Sequence, residues 1–301
     1  MKPSKIDLCV SLFYNRLDWD TLVIQGIDPF IHNMEVPLLY FICLNENRGD
    51  HIRLVLRTEK HKARSIAEKI DGHFKAFFIK FPSSLGKSQI KRNIGYHMDF
   101  ENNAVYYGVY DFDSPDLLFG YELFFQSTSR LIILIFKELG KDTLSHLNEV
   151  FLQLLNLYFN TLNYSNRDII SLLEEILEKK RLVLDIDKWE SFLEANQKAF
   201  EVNKQALHGY LSVFRNNTFK RYDTSWENEW VQIVNMAFRT ASSSPSMDRS
   251  IFFDQIFDEL SRALNIRNTL ANYYLFQKAI IYLEKSNGKE KGLLAKLPEK
   301  N

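Results

Sequence analysis

The stretch Val36–Thr58, VPLLYFICLNENRGDHIRLVLRT, decides the fold. Its first run, Leu38–Leu44, is almost wholly apolar, as expected of a strand covered on both faces. Asn45–Asp50 then supplies Asn, Gly and Asp, residues that tolerate the backbone angles of a turn. The following run alternates. Ile52, Leu54 and Leu56 fall on one face of a strand, and His51, Arg53, Val55 and Arg57 on the other. Two strands joined by a polar turn are therefore predicted, the second with aliphatics behind and a histidine and two arginines in front. That front is either a solvated strand surface or a rigid floor of cations, and the stretch alone leaves both open.

Upstream, Ile6–Tyr14 alternates as a first strand: Ile6, Leu8, Val10 and Leu12 oppose Asp7, Cys9 and Ser11. Asp18–His32 reads as a helix with acidic residues at its start. Downstream, Glu59–Phe81 repeats Ile66, Ile70, Phe74 and Phe77 at helical spacing, and Pro82 lies just beyond. Asn102–Phe112 reads as a further strand, with a short one before it near Ile94–Met98. This order implies an α+β layer: a mainly antiparallel sheet with helices on one face. After Ser114–Pro115 every periodic segment is helical: Leu144–Leu162, Arg167–Lys180, Asp187–Phe200, Asn203–Phe214, Thr224–Arg239 and a long region Ile251–Glu284. Residues 240–247, TASSSPSM, form the clearest loop. The expectation is a sheet lobe, residues 1–115, followed by an all-helical lobe, residues 116–301, packed as one compact unit.

Composition excludes several classes. The chain has 301 residues, 46% hydrophobic and 25% charged, with a formal net charge of zero. No global field draws in nucleic acid or an anionic membrane, so direct nucleic-acid binding is not expected. The most apolar window, Leu117–Phe136, carries Glu122 and Arg130 and reads as a buried helix rather than a membrane span. The N-terminus lacks the pattern of a signal peptide, so a soluble cytoplasmic protein is expected. The only cysteines, Cys9 and Cys43, read as buried free thiols, and no His/Cys spacing suits zinc. No metal or organic cofactor is expected.

Dinucleotide, P-loop, zincin and nucleophile-elbow motifs are all absent from the sequence. Glu174 and Glu175 stand four to six residues before Lys179 and Lys180, the spacing of helix-surface ion pairs rather than of an acid/base dyad. What remains is a sheet floor bearing His51, Arg53 and Arg57, an aromatic strand with Tyr106, Tyr107 and Tyr110, and a basic late segment with Arg262 and Arg267. Guanidinium groups grip carboxylates bidentately, so these residues together suit an anionic or peptide ligand.

Four segments carry a family resemblance: LDWDTLVIQGIDPFI (17–31), HIRLVLR (51–57), YELFFQSTSRLIILIF (121–136) and LNIRNTLANYYLFQKAIIYL (264–283). The chain resembles the thiopeptide-type bacteriocin biosynthesis proteins, which are similar to the C-terminal, glutamate-elimination domain of lantibiotic dehydratases. His51-Ile52-Arg53-Leu54 resembles the start of the family's His-Leu-Arg-Leu-Arg motif. Glu122, Phe125, Ser129 and Arg130 match a Glu-x-x-Phe-x-x-x-Ser-Arg-like helix. The resemblance implies action on a ribosomally made precursor peptide. It makes Arg53 and His51 the catalytic candidates, with Arg53, Arg57, Tyr107, Arg262 and Arg267 holding substrate. A glutamyl-tRNA-dependent dehydratase subunit is an implied partner, and an exposed sheet edge would permit a homodimer. Val55 stands where the family has a second arginine, and Asp111-Phe112-Asp113-Ser114 replaces its Arg-Tyr-Gly-Gly segment. No histidine follows His208, whereas the family carries one on a late helix. Three activities fit: elimination of glutamate from glutamylated Ser or Thr, non-catalytic binding of the peptide or a dehydratase, and formal cycloaddition between two dehydroalanines.

Overall fold

The structure, a computed structural model, describes residues 5–34, 39–84, 100–108, 117, 119–183, 185–216, 224–243 and 247–294. The strand expected near Ile94–Met98, the end of the Asn102–Phe112 strand and part of the 240–247 loop lie outside these residues.

Four strands, β1 (Lys5–Phe13), β2 (Leu39–Asn45), β3 (His51–Glu59) and β4 (Ala104–Tyr107), form one antiparallel sheet in the order β2-β3-β1-β4. Residues directly opposite share a face, so register sorts the side chains. Asp7, Cys9, Ser11 and Phe13 face Arg57, Val55, Arg53 and His51 across β1–β3. Leu39, Phe41, Cys43 and Asn45 line up with the same four residues across β2–β3. This is the cationic face. Its reverse carries Val10, Leu12, Ile42, Leu44, Ile52, Leu54 and Leu56, all buried.

Helices cover the reverse face. The segment α1 (residues 16–32) runs through a 3-10 turn, Arg16–Asp18, one α-turn, a π-helical stretch, Leu22–Ile27, and a last α-turn, Asp28–His32. Asn15 caps its start by accepting from the Leu17 N–H. The π-stretch leaves the Gly26 carbonyl to a ring nitrogen of His73, 2.8 Å away on α2 (Ala63–Lys80). Only glycine fits there comfortably, since a Cβ on Gly26 would meet Phe77 and Leu22 at 3.3 Å. Ile66, Ile70, Phe74, Phe77 and Phe78 are the buried stripe of α2.

The free edge of β2 is closed by α3 (Tyr121–Leu139). The Ile42 N–H donates to Ser129 Oγ at 2.9 Å, Ser129 in turn donates to the Phe125 carbonyl at 2.7 Å, and the Phe125 ring packs edge-on against Phe41. An edge strand thus finds a helix instead of another strand.

The remaining helices are α4 (Leu147–Thr161), α5 (Asn166–Arg181), α6 (Ile186–Asn216), α7 (Ser225–Ala241), α8 (Arg249–Leu264) and α9 (Thr269–Leu294). Capping boxes start α5 (Ser165 with Asp168) and α7 (Thr224 with Glu227). Where two helices were expected between 187 and 214, α6 is one continuous helix. The single region expected over Ile251–Glu284 is broken between α8 and α9, because Asn265 takes a left-handed conformation, φ 55°.

Contacts divide the chain into two compact units that are not consecutive in sequence. One comprises Met1–Leu147, Thr224–Pro245 and Phe257–Ile266; the other comprises Asn148–Asp223, Ser246–Ile256 and Arg267–Asn301. The expected cut at residue 115 differs from this division because α3, α7 and the end of α8 belong with the sheet. In the first unit Arg130 of α3 pairs with Glu229 of α7, and Trp230 meets Phe257. The second unit is built on an aromatic core of Tyr158, Phe159, Phe253, Tyr273 and Phe276. On its surface Lys179 pairs with Glu175 at 2.6 Å, the helix-spaced ion pair expected there.

Ser129→Ala removes the acceptor from a backbone N–H that the helix screens from water. Urea unfolding of this variant is expected to show a loss of about 1–3 kcal/mol, and a loss near zero would mean that the edge of β2 is held by packing alone.

Candidate functional site

The cationic face has two ends of opposite character. At the β3 end near Glu59, Arg57 is consumed by the fold. Its Nε and one terminal nitrogen bind both oxygens of Asp7 at 2.7 Å, and its other terminal nitrogen binds Glu122 on α3. The cross-strand register puts Asp7 directly opposite. Two carboxylates, Asp7 and Glu122, already occupy the guanidinium of Arg57, the residue expected to hold substrate. Beside it, Phe41, Val55 and Phe125 form a buried cluster with Cys9 and Leu117 against it.

Glu122, Phe125, Ser129 and Arg130, the residues of the quoted helix motif, therefore all fasten α3 in place.

The opposite end is aromatic. Phe13 lies 4.6 Å from the His51 ring and 5.4 Å from Tyr106, and Phe100 packs on Tyr106 at 4.5 Å. His51 is fully buried, and its Nδ1 sits 3.0 Å from the Gly49 carbonyl. Burial pulls its pKa down to about 4, against the Gly49 hydrogen bond, so the imidazole is neutral at pH 7. Packed beneath Phe13, His51 ties the β2–β3 turn through the Gly49 carbonyl. Tyr106 shares this face, paired with Ser11, whereas Tyr107 is on the reverse face, paired with Val10. The Tyr107 hydroxyl donates to Asp71 of α2 at 2.7 Å, with the Ala67 carbonyl 3.0 Å away. The structure separates Tyr107 from the arginines that the sequence grouped with it.

Between these ends lies the part of the face that assembles. Arg53, half-buried on β3, stands beside Cys43 of β2. The end of α8 is tied to the β2–β3 turn by the Asn265 side-chain amide, which donates to Glu46 at 3.1 Å, while Arg16 pairs with the same carboxylate at 2.9 Å. This brings Glu259 and Arg262 to the sheet. The Cys43 thiol feels both guanidiniums and the carboxylate: burial pushes it up to about 11, Arg53 and Arg262 pull against this, and Glu259 adds to it. Cys43 is thus a protonated, unreactive thiol at neutral pH. Neither Cys43 nor Cys9 is in a disulfide.

Arg53 and Arg262, 209 residues apart in sequence, therefore both act on the Cys43 thiol. Arg267 belongs to the other unit, exposed between α8 and α9. The residue that sequence reasoning missed is Glu259. It is 4% exposed, its Oε1 lies 3.3 Å from Arg262, and among the described residues its buried Oε2 has no hydrogen-bond partner. Burial raises its pKa, the Arg262 guanidinium opposes the rise, and Asp258 adds to it. No group of three or more metal-ligating side chains occurs among the described residues, and no described helix is long and apolar enough to cross a membrane.

No family model matches the chain, and no curated protein matches it in sequence. Solved structures do match. The fold is similar to that of TbtD, a pyridine synthase from thiomuracin biosynthesis. The TM-score is 0.66 at 13% identity, covering 93% of this chain and 99% of that one. It is also similar to TsrL, with a TM-score of 0.64 at 11% identity, covering 94% of this chain and 96% of that one. The likeness covers nearly the whole chain, the α+β sheet region and the helices that follow it. At these identities it establishes the fold.

Two expectations follow from the site. Arg57→Gln should lower stability by about 1–3 kcal/mol in denaturant unfolding, since it leaves Asp7 and Glu122 facing each other without a cation. His51 has a folded-state pKa below its unfolded value, so its contribution is fully present above pH 6.5 and is lost as pH falls towards 4. Relative to His51→Gln, the protein should lose about 2 kcal/mol of stability between pH 7.5 and pH 5; parallel pH profiles for the two would show that the ring is not buried neutral.

Proposed function

We propose that this protein tailors a ribosomally made precursor peptide of the thiopeptide kind, closing a nitrogen-containing ring between two dehydroalanine residues. The observation that carries the reading is the fold shared over nearly the whole chain with a pyridine synthase from thiomuracin biosynthesis. The sheet face agrees with it. A glutamate-elimination site needs several cations to grip the departing glutamate and a positioned proton acceptor. Here Val55 replaces one arginine, Arg57 is neutralised by Asp7 and Glu122, and His51 is sealed.

Ring closure makes smaller demands on charge. A dehydroalanine amide carries its C=C next to an N–H. Moving that proton to the carbonyl oxygen gives C=C–N=C, a four-atom diene. The C=C of a second dehydroalanine then adds across it, forming two C–C bonds and a six-membered ring that includes the nitrogen. Such a step depends on holding two alkenes in one geometry and on donors at the oxygen where charge develops. Arg53 and Arg262 are donors of that kind, and Phe13, Phe100 and Tyr106 give the same face an apolar, aromatic end.

Glutamate elimination is the second reading, favoured by one observation: two guanidiniums, Arg53 and Arg262, still act on one spot of the sheet. Two substrates separate the readings. One is a synthetic peptide with two dehydroalanines, and the other is the same peptide with a glutamylated serine. Ring closure is expected to abolish thiol labelling at both dehydroalanines of the first and to leave the second unchanged. Release of glutamate from the second with the first untouched would select elimination, and inertness toward both would reject the two readings together. Arg53→Ala is expected to cut turnover by about 10- to 100-fold, whereas Arg57→Gln should act on stability and leave the turnover of folded protein within about 3-fold.

A further inference from the structure

We propose that Glu259 is the proton carrier of this site, giving its carboxyl hydrogen to the carbonyl oxygen of a bound peptide amide and taking the amide N–H proton in return. The inference rests on the ring-forming reading and names the residue that would move the proton it requires. The exchange balances. One O–H and one N–H bond break at the acid and the amide, one O–H forms on each, and neither a net proton nor an oxidant is consumed.

The geometry singles out Glu259 by what surrounds it. It sits on α8 with one oxygen near Arg262 and the other buried with no hydrogen-bond partner among the described residues. Arg262 offsets the burial of one oxygen, while the other carries a desolvation cost that no hydrogen bond among the described residues offsets. Its charge acts on the Cys43 thiol of the cationic face, as do those of Arg53 and Arg262, and Asp258 and Arg262 are its own charged neighbours on α8.

The other groups of this face fail as carriers. Arginine does not give up a proton in proteins, so Arg53 and Arg262 hold charge only. Cys43 is pushed up to about 11, too far from neutrality. His51 has Nδ1 engaged at the Gly49 carbonyl, and burial, which pulls its pKa down to about 4, leaves it a weak base. Burial favours the protonated form of Glu259, and Arg262 keeps the ionised form within reach, which suits a group that must visit both.

Full-length protein, with the two-dehydroalanine peptide as substrate, tests this through Glu259→Gln and Arg262→Gln. Gln keeps the size of Glu259 but carries no exchangeable acid. Circular dichroism and thermal unfolding should match the parent protein, while kcat falls by about 100-fold or more with KM within about 3-fold. The pH–rate profile supplies a measurement that a merely structural role would not move. The parent should show a limb above the ordinary glutamate value of 4.5, and Arg262→Gln should move that limb upward, because the guanidinium holds it down. Turnover by Glu259→Gln within about 3-fold of the parent, or a limb unmoved by Arg262→Gln, overturns the role of Glu259 while ring closure stands. If Glu259→Gln does not fold, the pH limb and its displacement decide alone. A parent protein that leaves the peptide unchanged removes the ring-forming reading and this inference with it.

Discussion

The antiparallel register between β1 and β3 is the constraint on which the rest depends. It places Asp7 against Arg57, Ser11 against Arg53 and Phe13 against His51. Because strand side chains alternate, a slip of one residue would exchange the cationic face for the aliphatic one. The Asp7–Arg57 pair resists such a slip by geometry as well as charge, since both carboxylate oxygens meet separate nitrogens of one planar group. The same register leaves β2 at an edge, where Ser129 of α3 answers its free N–H. Sheet, edge helix and polar face thus follow from one alignment.

The arginines of one strand consequently have different fates. Arg57 stands where two carboxylates converge and acts as a fastener. Arg53, four residues earlier on the same face, acts on the same Cys43 thiol as Glu259 and Arg262 of a late helix. That helix brings a carboxyl group out of water, and a low local dielectric strengthens every interaction there. Glu259 can be buried because Arg262 stands beside it, and this pairing makes the site responsive to charge rather than merely apolar.

Much of the architecture was legible. The alternation in β3, the apolar run of β2, the 3.6-residue stripe of α2 and the capping box of α7 are local signals, and the elements form where those signals lie. The site was less legible because its determinants are not local. Nothing near Arg57 announces that Asp7 and Glu122, 50 and 65 residues away, will claim it. Tyr106 and Tyr107 differ only in parity, and the face each takes is fixed by pairing with β1. His51 looks available on its strand, and its burial is decided by Phe13 of another strand. Glu259 is one of 38 acidic residues, distinguished only when α8 is laid beside Cys43. The break at Asn265 was hidden because hydrophobic periodicity continues on both sides of it.

The hydrogen bond from Asn265 to Glu46 joins residues 219 positions apart. On a ribosome adding about 5–20 residues per second, the β2–β3 turn emerges roughly 10–40 s before the helix end that will cover its neighbourhood. Throughout that interval Cys43 and Arg53 belong to a sheet whose lid has not been made. The cationic face is therefore the last part of its unit to be finished, and a chain that stops short of residue 259 would carry the sheet without Glu259 and Arg262.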